Sequence, residues 1–153
     1  MKRVLFVCLG NICRSPAAEA VLRAKAAERS LPLYVDSAGA GGWHQGDPAD
    51  DRMIRASARR GYRLDHHRAR QVEAGDFRNF DLLLAMDLSN HSALLAMAPP
   101  DRRCDIRLFL DYADTALRET PDPYYGGERG FEEVLDLIEK GAEALLDHLE
   151  ESE

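Results

Sequence analysis

The sequence has 153 residues, 45% of them hydrophobic, and a formal net charge of −7 at pH 7. Its size favours one domain with a buried core, and its negative charge disfavours a general binder of nucleic acid or of an anionic membrane surface. No apolar run approaches the roughly 18 residues that span a bilayer, and the N-terminal segment lacks the features of a signal peptide, so we expect a single cytoplasmic domain over residues 1–153. The three cysteines do not predict a disulfide framework there.

The first half of the chain alternates between apolar runs and helical patterns. Residues 4–7 form a short continuous apolar run, typical of a strand buried on both faces of a parallel sheet. Ser15 and Pro16 predict a helix start, with Ser15 as the N-cap, and the alanine-rich residues 17–29 continue the helix. The other predicted elements of this half are a strand at 33–36, a glycine-rich loop at 37–48, and a helix at 50–60 that ends at Gly61.

The second half continues the alternation. Residues 80–86 predict a strand, 89–97 a helix that the following prolines end, and 106–109 another strand. Residues 110–130 form a long irregular segment, and a loop of that length is usually functional or disordered. Residues 131–149 predict an amphipathic helix with one apolar stripe. Strands that alternate with helices indicate an α/β domain with a parallel sheet of about four strands. The stripe consists of Phe131, Val134, Leu135, Ile138, Ala142, Leu145 and Leu149.

The residues between the first strand and the first helix form a candidate anion-binding loop. Five residues separate Cys8 from Arg14, and Ser15 follows at the helix start. Ligands of parallel sheets bind beyond the carboxyl ends of the strands, where loop amides and a helix N-terminus attract an anion. Gly10 and Asn11 tolerate the positive φ that such a curled loop needs. We therefore expect phosphate or another oxyanion in this loop.

The same residues suit the transfer of a phosphoryl group to sulfur. Arg14 can hold two phosphate oxygens in a planar contact, and the field that holds a dianion favours the thiolate form of Cys8. That thiolate could attack phosphorus in line while Arg14 and the loop amides stabilise the equatorial oxygens. The alternative is an inert buried cysteine and a surface arginine. A zinc site is disfavoured because Cys8 and Cys13 lack a second pair of ligands, and a nucleotide P-loop because no Gly-Lys-Ser/Thr follows.

A proton donor is also needed, because attack on an ester expels an alkoxide or phenolate. Asp122 fits this role, since it lies in the long irregular segment and prolines flank it on both sides. Once ionised, Asp122 could take a proton from the water that hydrolyses the thiophosphate. Tyr124 and Tyr125 could form an aromatic wall for a flat substrate. The alternatives are a simple Asp-Pro turn for Asp122 and core packing for the tyrosines.

Taken together, the motifs resemble those of the low-molecular-weight protein tyrosine phosphatase family. Residues 7–20 (VCLGNICRSPAAEA) match the signature loop and helix of that family almost letter for letter. Four further blocks follow in family order: DSAGAGGWHQGDPADDR at 36–52, HHRARQ at 66–71, FDLLLAMDLSN at 80–90 and PDPYYGGERGFEEV at 121–134. Chance does not supply five ordered blocks.

The resemblance implies a doubly wound domain with a central parallel four-stranded sheet and helices on both faces. It implies hydrolysis of protein phosphotyrosine and small aryl phosphates without a metal or cofactor. We expect a monomer or weak dimer that binds neither nucleic acid nor membrane. Cys8 would be the nucleophile, Arg14 the phosphate clamp, and Asp122 the general acid and then base. The expected phosphate-binding residues are Leu9, Gly10, Asn11, Ile12, Cys13, Arg14 and Ser15.

The resemblance also implies a supporting network and a substrate pocket. Asn11 would hold the loop in shape with help from Ser15, Ser37 and His67, and Ser15 would donate to the Cys8 sulfur. From the residues alone, a helix cap, a turn and an ordinary surface histidine are the simpler interpretations of Ser15, Ser37 and His67. The expected pocket residues are Leu9, Trp43, Tyr124 and Tyr125, with core packing as the alternative for Trp43.

Cys13 resembles the second loop cysteine of the family, which can form a reversible disulfide with the nucleophile and so protect it from over-oxidation. The alternative is an inert small residue. Cys104 matches no motif, and we assign it no role. Ala40, where many members have threonine, should be neutral.

Three other functions compete with phosphotyrosine hydrolysis. A thioredoxin-coupled arsenate reductase needs two further cysteines in the middle of the chain, where only Cys104 occurs. Protein-arginine phosphatases carry threonine at the position of Ile12 and lack the paired tyrosines. A non-enzymatic anion-binding module would not need Cys8, Arg14 and Asp122 together. We also expect the acidic residues 45–52 to disfavour acidic substrate peptides.

Overall fold

In the computed structural model, which describes residues 1–124 and 127–151, four strands form one parallel sheet. The strands are β1 (Lys2–Cys8), β2 (Leu33–Gly39), β3 (Leu82–Ala85) and β4 (Asp105–Leu108). They lie in the order β2-β1-β3-β4, so that β1 is central. The helices are α1 (Arg14–Glu28), α2 (Asp51–Ala58), α3 (Asp76–Asn79), α4 (Leu88–Met97) and α5 (Glu128–Glu151), and a 3₁₀ helix spans Phe109–Tyr112.

Apolar side chains pack on both faces of the sheet. In β1, Val4 and Phe6 join the core that includes residues of α1, α2 and α5, whereas Leu5 and Val7 join the core that includes residues of α3 and α4. Alternate side chains of a strand point to opposite faces, so a strand covered on both sides is apolar throughout. The predicted doubly wound α/β fold is therefore confirmed. The predicted stripe of α5 is buried at each of its positions: Phe131, Val134, Leu135, Ile138, Ala142, Leu145 and Leu149.

The start of α1 differs from the prediction. The helix begins at Arg14, its N-cap is Cys13, and no side chain caps it. The prediction of Ser15 as N-cap is therefore wrong, because its hydroxyl already bonds within the preceding loop. By contrast, Asp50 caps α2 by accepting from the Arg52 N–H. The chain leaves α2 through Gly61, whose φ is +88°.

Tertiary contacts set the other element boundaries. β2 continues to Gly39, inside the predicted loop, because it pairs with β1 as far as Cys8. The predicted irregular segment 110–130 overlaps the 3₁₀ helix at one end and α5 at the other, since α5 begins at Glu128. The four-residue helix α3 was not predicted, because so short a helix shows no periodicity. Across the part of the chain that the structure describes, no helix is long and apolar enough to cross a membrane.

Candidate active site

The curled loop between β1 and α1, residues 8–14, lies at the carboxyl edge of the sheet. Cys8 ends the strand and Arg14 begins the helix. Asn11 has φ of 59°, as predicted for a residue of this type, but Gly10 is not among the described residues with positive φ. Gly10 serves a different purpose, because a β-carbon there would lie 2.8 Å from His44 Cδ2. The loop is thus shaped by one left-handed residue and one close approach.

Two donors of the loop surround the Cys8 sulfur. Ser15 Oγ lies 2.9 Å from Cys8 Sγ, and the Asn11 N–H donates to the same sulfur over 3.3 Å. Ser15 Oγ accepts a hydrogen bond from Asn11 Nδ2, and the carbonyl of Ala38 is farther from it, at 3.4 Å. The hydroxyl proton of Ser15 is therefore best placed to donate to sulfur. This arrangement can stabilise a sulfur anion at the base of the loop.

The Asn11 side chain joins the loop to two other parts of the chain. Its Nδ2 donates to Ser15 Oγ at 2.9 Å and to Ser37 Oγ at 3.0 Å, and its Oδ1 accepts from the Arg70 N–H at 2.9 Å. His67 Nε2 bonds the Asn11 carbonyl at 2.8 Å, which makes that nitrogen the donor. The structure therefore brings the other three predicted network residues, Ser15, Ser37 and His67, into contact with Asn11. Asn11, Ser15 and Ser37 are buried, and His67 is partly buried.

Further contacts, which sequence analysis did not identify, support this network. Ser37 Oγ donates to Glu19 Oε1 at 2.7 Å. The Arg70 guanidinium bridges Asp36 and Asp76, at 3.1 and 2.9 Å. Burial opposes the charge of Arg70, but both carboxylates outweigh it and raise the pKa of the guanidinium. These ion pairs hold the segment around Arg70, whose N–H donates to Asn11, against the end of the sheet.

Arg14 is buried, with 3% of its side chain exposed, and acidic groups surround it. Its Nη1 donates to Asp87 Oδ2 at 2.7 Å and to the Thr120 carbonyl at 3.0 Å, and its Nη2 lies 3.5 Å from Asp122 Oδ2. Burial opposes its charge, but Cys8, Asp87 and Asp122 together raise the pKa of Arg14. The guanidinium is therefore a fixed cation, oriented from one side by Asp87 and facing the loop.

Asp87, the partner of Arg14, was not predicted from the sequence. Its other carboxylate oxygen accepts from the Asn90 N–H at 2.7 Å and so caps α4. One signal was available, because Asp87 follows β3 closely, and the carboxyl ends of neighbouring parallel strands meet at one edge. Nothing in the spacing between residues 14 and 87 indicated the pairing itself.

Asp122 faces the loop from the irregular segment before α5, with 37% of its side chain exposed. Its Oδ1 accepts from the Tyr124 N–H at 3.0 Å, which forms a tight turn. The segment is attached to the sheet just upstream, where the Thr120 N–H donates to the Met86 carbonyl at 2.7 Å. The Asp-Pro turn that competed with a chemical role is thus present, and it directs Oδ2 of Asp122 toward Arg14.

A cavity of about 270 Å³ opens above the Cys8 sulfur, and its walls include aromatic side chains. Trp43, 74% exposed, lies at its mouth and is not a core residue. A β-carbon at Gly41 would overlap the Trp43 ring, so a larger residue there would displace this ring from its position. Sequence analysis missed His44, and Tyr125 lies outside the described residues. The cavity is lined by Cys8, Leu9, Gly10, Ile12, Cys13, Arg14, Trp43, His44, Asp122 and Tyr124.

The three cysteines are free and buried. Burial, aided by the charge of Asp50, raises the pKa of the Cys13 thiol far above its usual range. Cys13 is therefore a neutral thiol in the cavity wall. Cys104 packs in the core on the opposite face of the sheet from Cys8.

Comparisons with known proteins agree with this geometry. The family model described as "Low molecular weight phosphotyrosine protein phosphatase" matches residues 3–153. The low molecular weight protein-tyrosine-phosphatase YfkJ of Bacillus subtilis is 47% identical over 149 residues, which are 95% of this chain and 94% of the relative.

Two solved structures share the whole fold. A protein tyrosine phosphatase of Entamoeba histolytica, with Hepes in the active site, superposes with a TM-score of 0.95 at 43% identity and covers 99% of both chains. The Drosophila arginine phosphatase superposes with a TM-score of 0.92 at 37% identity, over 97% of this chain and 98% of the other. From the match along nearly its full length, the chain belongs to the low-molecular-weight phosphotyrosine protein phosphatase family of hydrolases.

Proposed function

We propose that this protein hydrolyses protein phosphotyrosine and small aryl phosphates through a cysteinyl-phosphate intermediate, as one domain over residues 1–153. One observation carries the proposal: the Cys8 sulfur, the Arg14 guanidinium and the Asp122 carboxylate line the same cavity, under an aromatic mouth. A phosphate seated on the loop would contact all three groups. The names of the relatives support the same class of substrate.

In the first step, the Cys8 thiolate attacks phosphorus in line with the ester oxygen. The S–P bond forms as the P–O bond to the aryl group breaks, and the Asp122 carboxyl protonates the departing oxygen. Arg14 and the loop amides hold the equatorial oxygens throughout. Ser15 and the Asn11 N–H stabilise the thiolate before attack, which their contacts with the sulfur support.

In the second step, water attacks phosphorus from the side that the aryl group has left. Asp122, now ionised, accepts a proton from that water, the P–S bond breaks, and inorganic phosphate and the thiolate are restored. The same donors that stabilised the thiolate at the start favour its departure as the leaving group. The exposure of Asp122 supports this role, because the attacking water must reach it.

The cavity walls support an aryl ester as the substrate. Leu9, Trp43 and Tyr124 provide apolar and aromatic surface at the level where the ring of phosphotyrosine would lie. Phosphoarginine hydrolysis is the second candidate, because the Drosophila arginine phosphatase shares the fold. Ile12, a pocket-lining apolar residue, favours the aromatic ester, since threonine occupies this position in arginine phosphatases.

One assay separates these functions. We expect wild-type protein to release phosphate from phosphotyrosine much faster than from phosphoarginine, and not to reduce arsenate with thioredoxin. Cys8→Ser should abolish turnover and still bind phosphate or vanadate, because the loop and Arg14 remain. Cys8→Ser with wild-type activity would overturn the mechanism, and faster phosphoarginine turnover would overturn the substrate.

Asp122→Ala tests the proton donor. The value of kcat/KM includes only the steps up to release of the alcohol, so it isolates the first chemical step. We expect a loss of about 100-fold to 10,000-fold for phenyl phosphate, the usual contribution of a general acid. The loss for 4-nitrophenyl phosphate should be much smaller, because nitrophenolate leaves without a proton. Equal losses for the two esters would exclude Asp122 as the donor.

A further inference from the structure

The Arg52 guanidinium connects α2 to the segment that carries Asp122. Its Nη2 lies 3.0 Å from Asp50 Oδ2 and its Nε lies 3.2 Å from Asp50 Oδ1, so the two side chains form a two-pronged pair. The same Nη2 donates to the Tyr124 carbonyl at 2.7 Å. Asp50 is itself fixed, because its side chain caps α2. Arg52 therefore attaches Tyr124 to a rigid helix terminus.

Aromatic rings hold the guanidinium in place. Arg52 Cζ lies 4.7 Å from the ring centroid of Phe131 and 5.5 Å from that of Tyr124, within the range of cation–π attraction. Phe131 is buried in the first turns of α5. One side chain thus contacts α2, α5 and the segment between β4 and α5. A planar guanidinium can make these contacts together, whereas an ammonium cannot.

The contacts of Arg52 continue to the proposed reaction centre. The Tyr124 carbonyl is held by Arg52, and its N–H donates to Asp122 Oδ1 at 3.0 Å. Asp122 Oδ2 in turn lies 3.5 Å from Arg14 Nη2. On the other side, the Asp50 N–H donates to the carbonyl of Ile12, in the anion loop, at 2.8 Å. These contacts form a closed ring that begins and ends in the anion loop.

We propose that Arg52 is a positioning residue for proton transfer, which fixes Asp122 over the anion loop through Tyr124. This proposal rests on the proposed function, because it needs Asp122 as the donor. Asp122 lies outside the helices and strands, so the ring of contacts supplies what regular structure does not. A donor displaced by about 1 Å can lose as much as about 100-fold in rate.

The leaving-group dependence of Arg52→Met tests this role. Methionine retains apolar contact with Phe131 but cannot bond Asp50 or the Tyr124 carbonyl. We expect kcat/KM for phenyl phosphate to fall by about tenfold to 100-fold, within the range for a misplaced reacting group. The value for 4-nitrophenyl phosphate should fall much less. The inhibition constant for inorganic phosphate should stay near that of wild type, because the anion loop and Arg14 are intact.

Arg59→Met is the matched control. Arg59 flanks the same helix and its Nη2 lies 2.7 Å from Glu132 Oε2 in α5. It bonds none of the described residues of the segment that carries Asp122. It should leave both kcat/KM values unchanged. Arg52→Lys keeps the positive charge but cannot form the two-pronged pair with Asp50. We expect it to lose an intermediate amount of kcat/KM for phenyl phosphate. If Arg52→Met does not fold, Asp50→Asn weakens the same ring and retains the helix cap.

Each result decides the proposal. A selective loss on phenyl phosphate in Arg52→Met or Asp50→Asn, absent from Arg59→Met, supports it. An equal loss on both esters, or none, overturns it. If Asp122→Ala is selective and Arg52→Met is not, only the role of Arg52 fails. If Asp122→Ala is not selective, the proton donor and the role of Arg52 fall together.

Discussion

Asn11 meets two separate demands of the anion loop. Its φ of 59° lies in the left-handed region, which costs a residue with a β-carbon about 1 kcal/mol. Its side chain also provides two donors, to Ser15 and Ser37, and an acceptor for Arg70. Asparagine suits both demands, because it tolerates this conformation and its amide carries donors and an acceptor together.

Substitutions at Asn11 separate these demands. Asn11→Gly keeps the backbone conformation and removes the side-chain bonds, so both the free energy of unfolding and the affinity for inorganic phosphate should fall. Asn11→Ala adds backbone strain and should be about 1 kcal/mol less stable than Asn11→Gly. Chemical denaturation and phosphate competition measure the two effects. Equal stability of the two variants would argue against strain at this position.

Asp87 also combines two functions, and its substitutions distinguish them. Asp87→Asn retains a cap for α4 but removes the charge beside Arg14, so we expect kcat/KM to fall by about tenfold, as for a lost charge-assisted bond. Asp87→Ala loses the cap as well and should unfold about 1 kcal/mol more easily than Asp87→Asn. Steady-state kinetics and denaturation check these values. Wild-type kcat/KM in Asp87→Asn would contradict an orienting role.

At the level of elements, local patterns predicted most helices and strands because each has its own signal. The apolar run of β1, the alanine-rich α1 and the striped α5 are all present. The boundaries depended on tertiary contacts, as in β2, which pairs with β1 three residues beyond its predicted end. The four-residue α3 carries no periodic signal.

The candidate site also has a part that local sequence predicts and a part that depends on tertiary contacts. Its loop could be predicted because Cys8 and Arg14 are close in sequence and flank a strand and a helix. Its long-range contacts could not, since Arg14 and Asp87 are 73 positions apart and Arg52 and Tyr124 are 72 apart. The order of the strands and the path of the irregular segment bring such residues together. Neither can be predicted from the spacing of residues that are close in sequence.

The cap of α2 gives a pH-dependent prediction. Burial alone would raise the pKa of Asp50, but hydrogen bonds from Arg52 outweigh burial and lower it below its ordinary value of 3.8. A carboxyl with a lowered pKa stabilises the folded state when ionised, so this stabilisation is present above pH 4 and lost as pH falls through the folded-state value. Asp50→Asn should therefore reduce the free energy of unfolding at pH 7 by about 1–2 kcal/mol.

Near pH 3 the two proteins should become more alike in stability, because protonated aspartic acid resembles asparagine. Urea denaturation at both pH values measures the difference. A constant difference between wild type and Asp50→Asn across this range would show that the charge of Asp50 contributes nothing.

At the scale of the whole molecule, acidic residues outnumber basic ones, and an exposed acidic residue lies beside the cavity. The chain has 27 acidic and 20 basic residues. Asp47 is exposed and lies 3.1 Å from the pocket residue His44, between Nδ1 and Oδ2. Acidic groups at a binding site repel acidic ligands and lower their rate of association.

We therefore expect a higher kcat/KM for phosphotyrosine peptides with basic flanking residues than for acidic ones. Added salt should reduce the difference, since at 0.1 M it largely screens the interaction between exposed charges that are more than about 10 Å apart. Asp47→Asn should reduce it too, and Asp101→Asn, in the segment between α4 and β4, serves as the control. Equal values for acidic and basic peptides would refute a charge preference.

We expect the two parts of the proposed machinery, the anion loop and the segment that carries Asp122, to open with different ease. Cys8 ends β1, which lies between β2 and β3 in the sheet, whereas Asp122 lies outside the helices and strands. Loops separate from a fold at much lower free energy than central strands do. A brief detachment of the outer part would leave an intact receptor for phosphate with its donor withdrawn. In such moments the protein would retain an ester whose leaving group needs a proton, such as phosphotyrosine, without cleaving it. The dwell time of that bound ester and the rate of its cleavage would then depend on different parts of the chain.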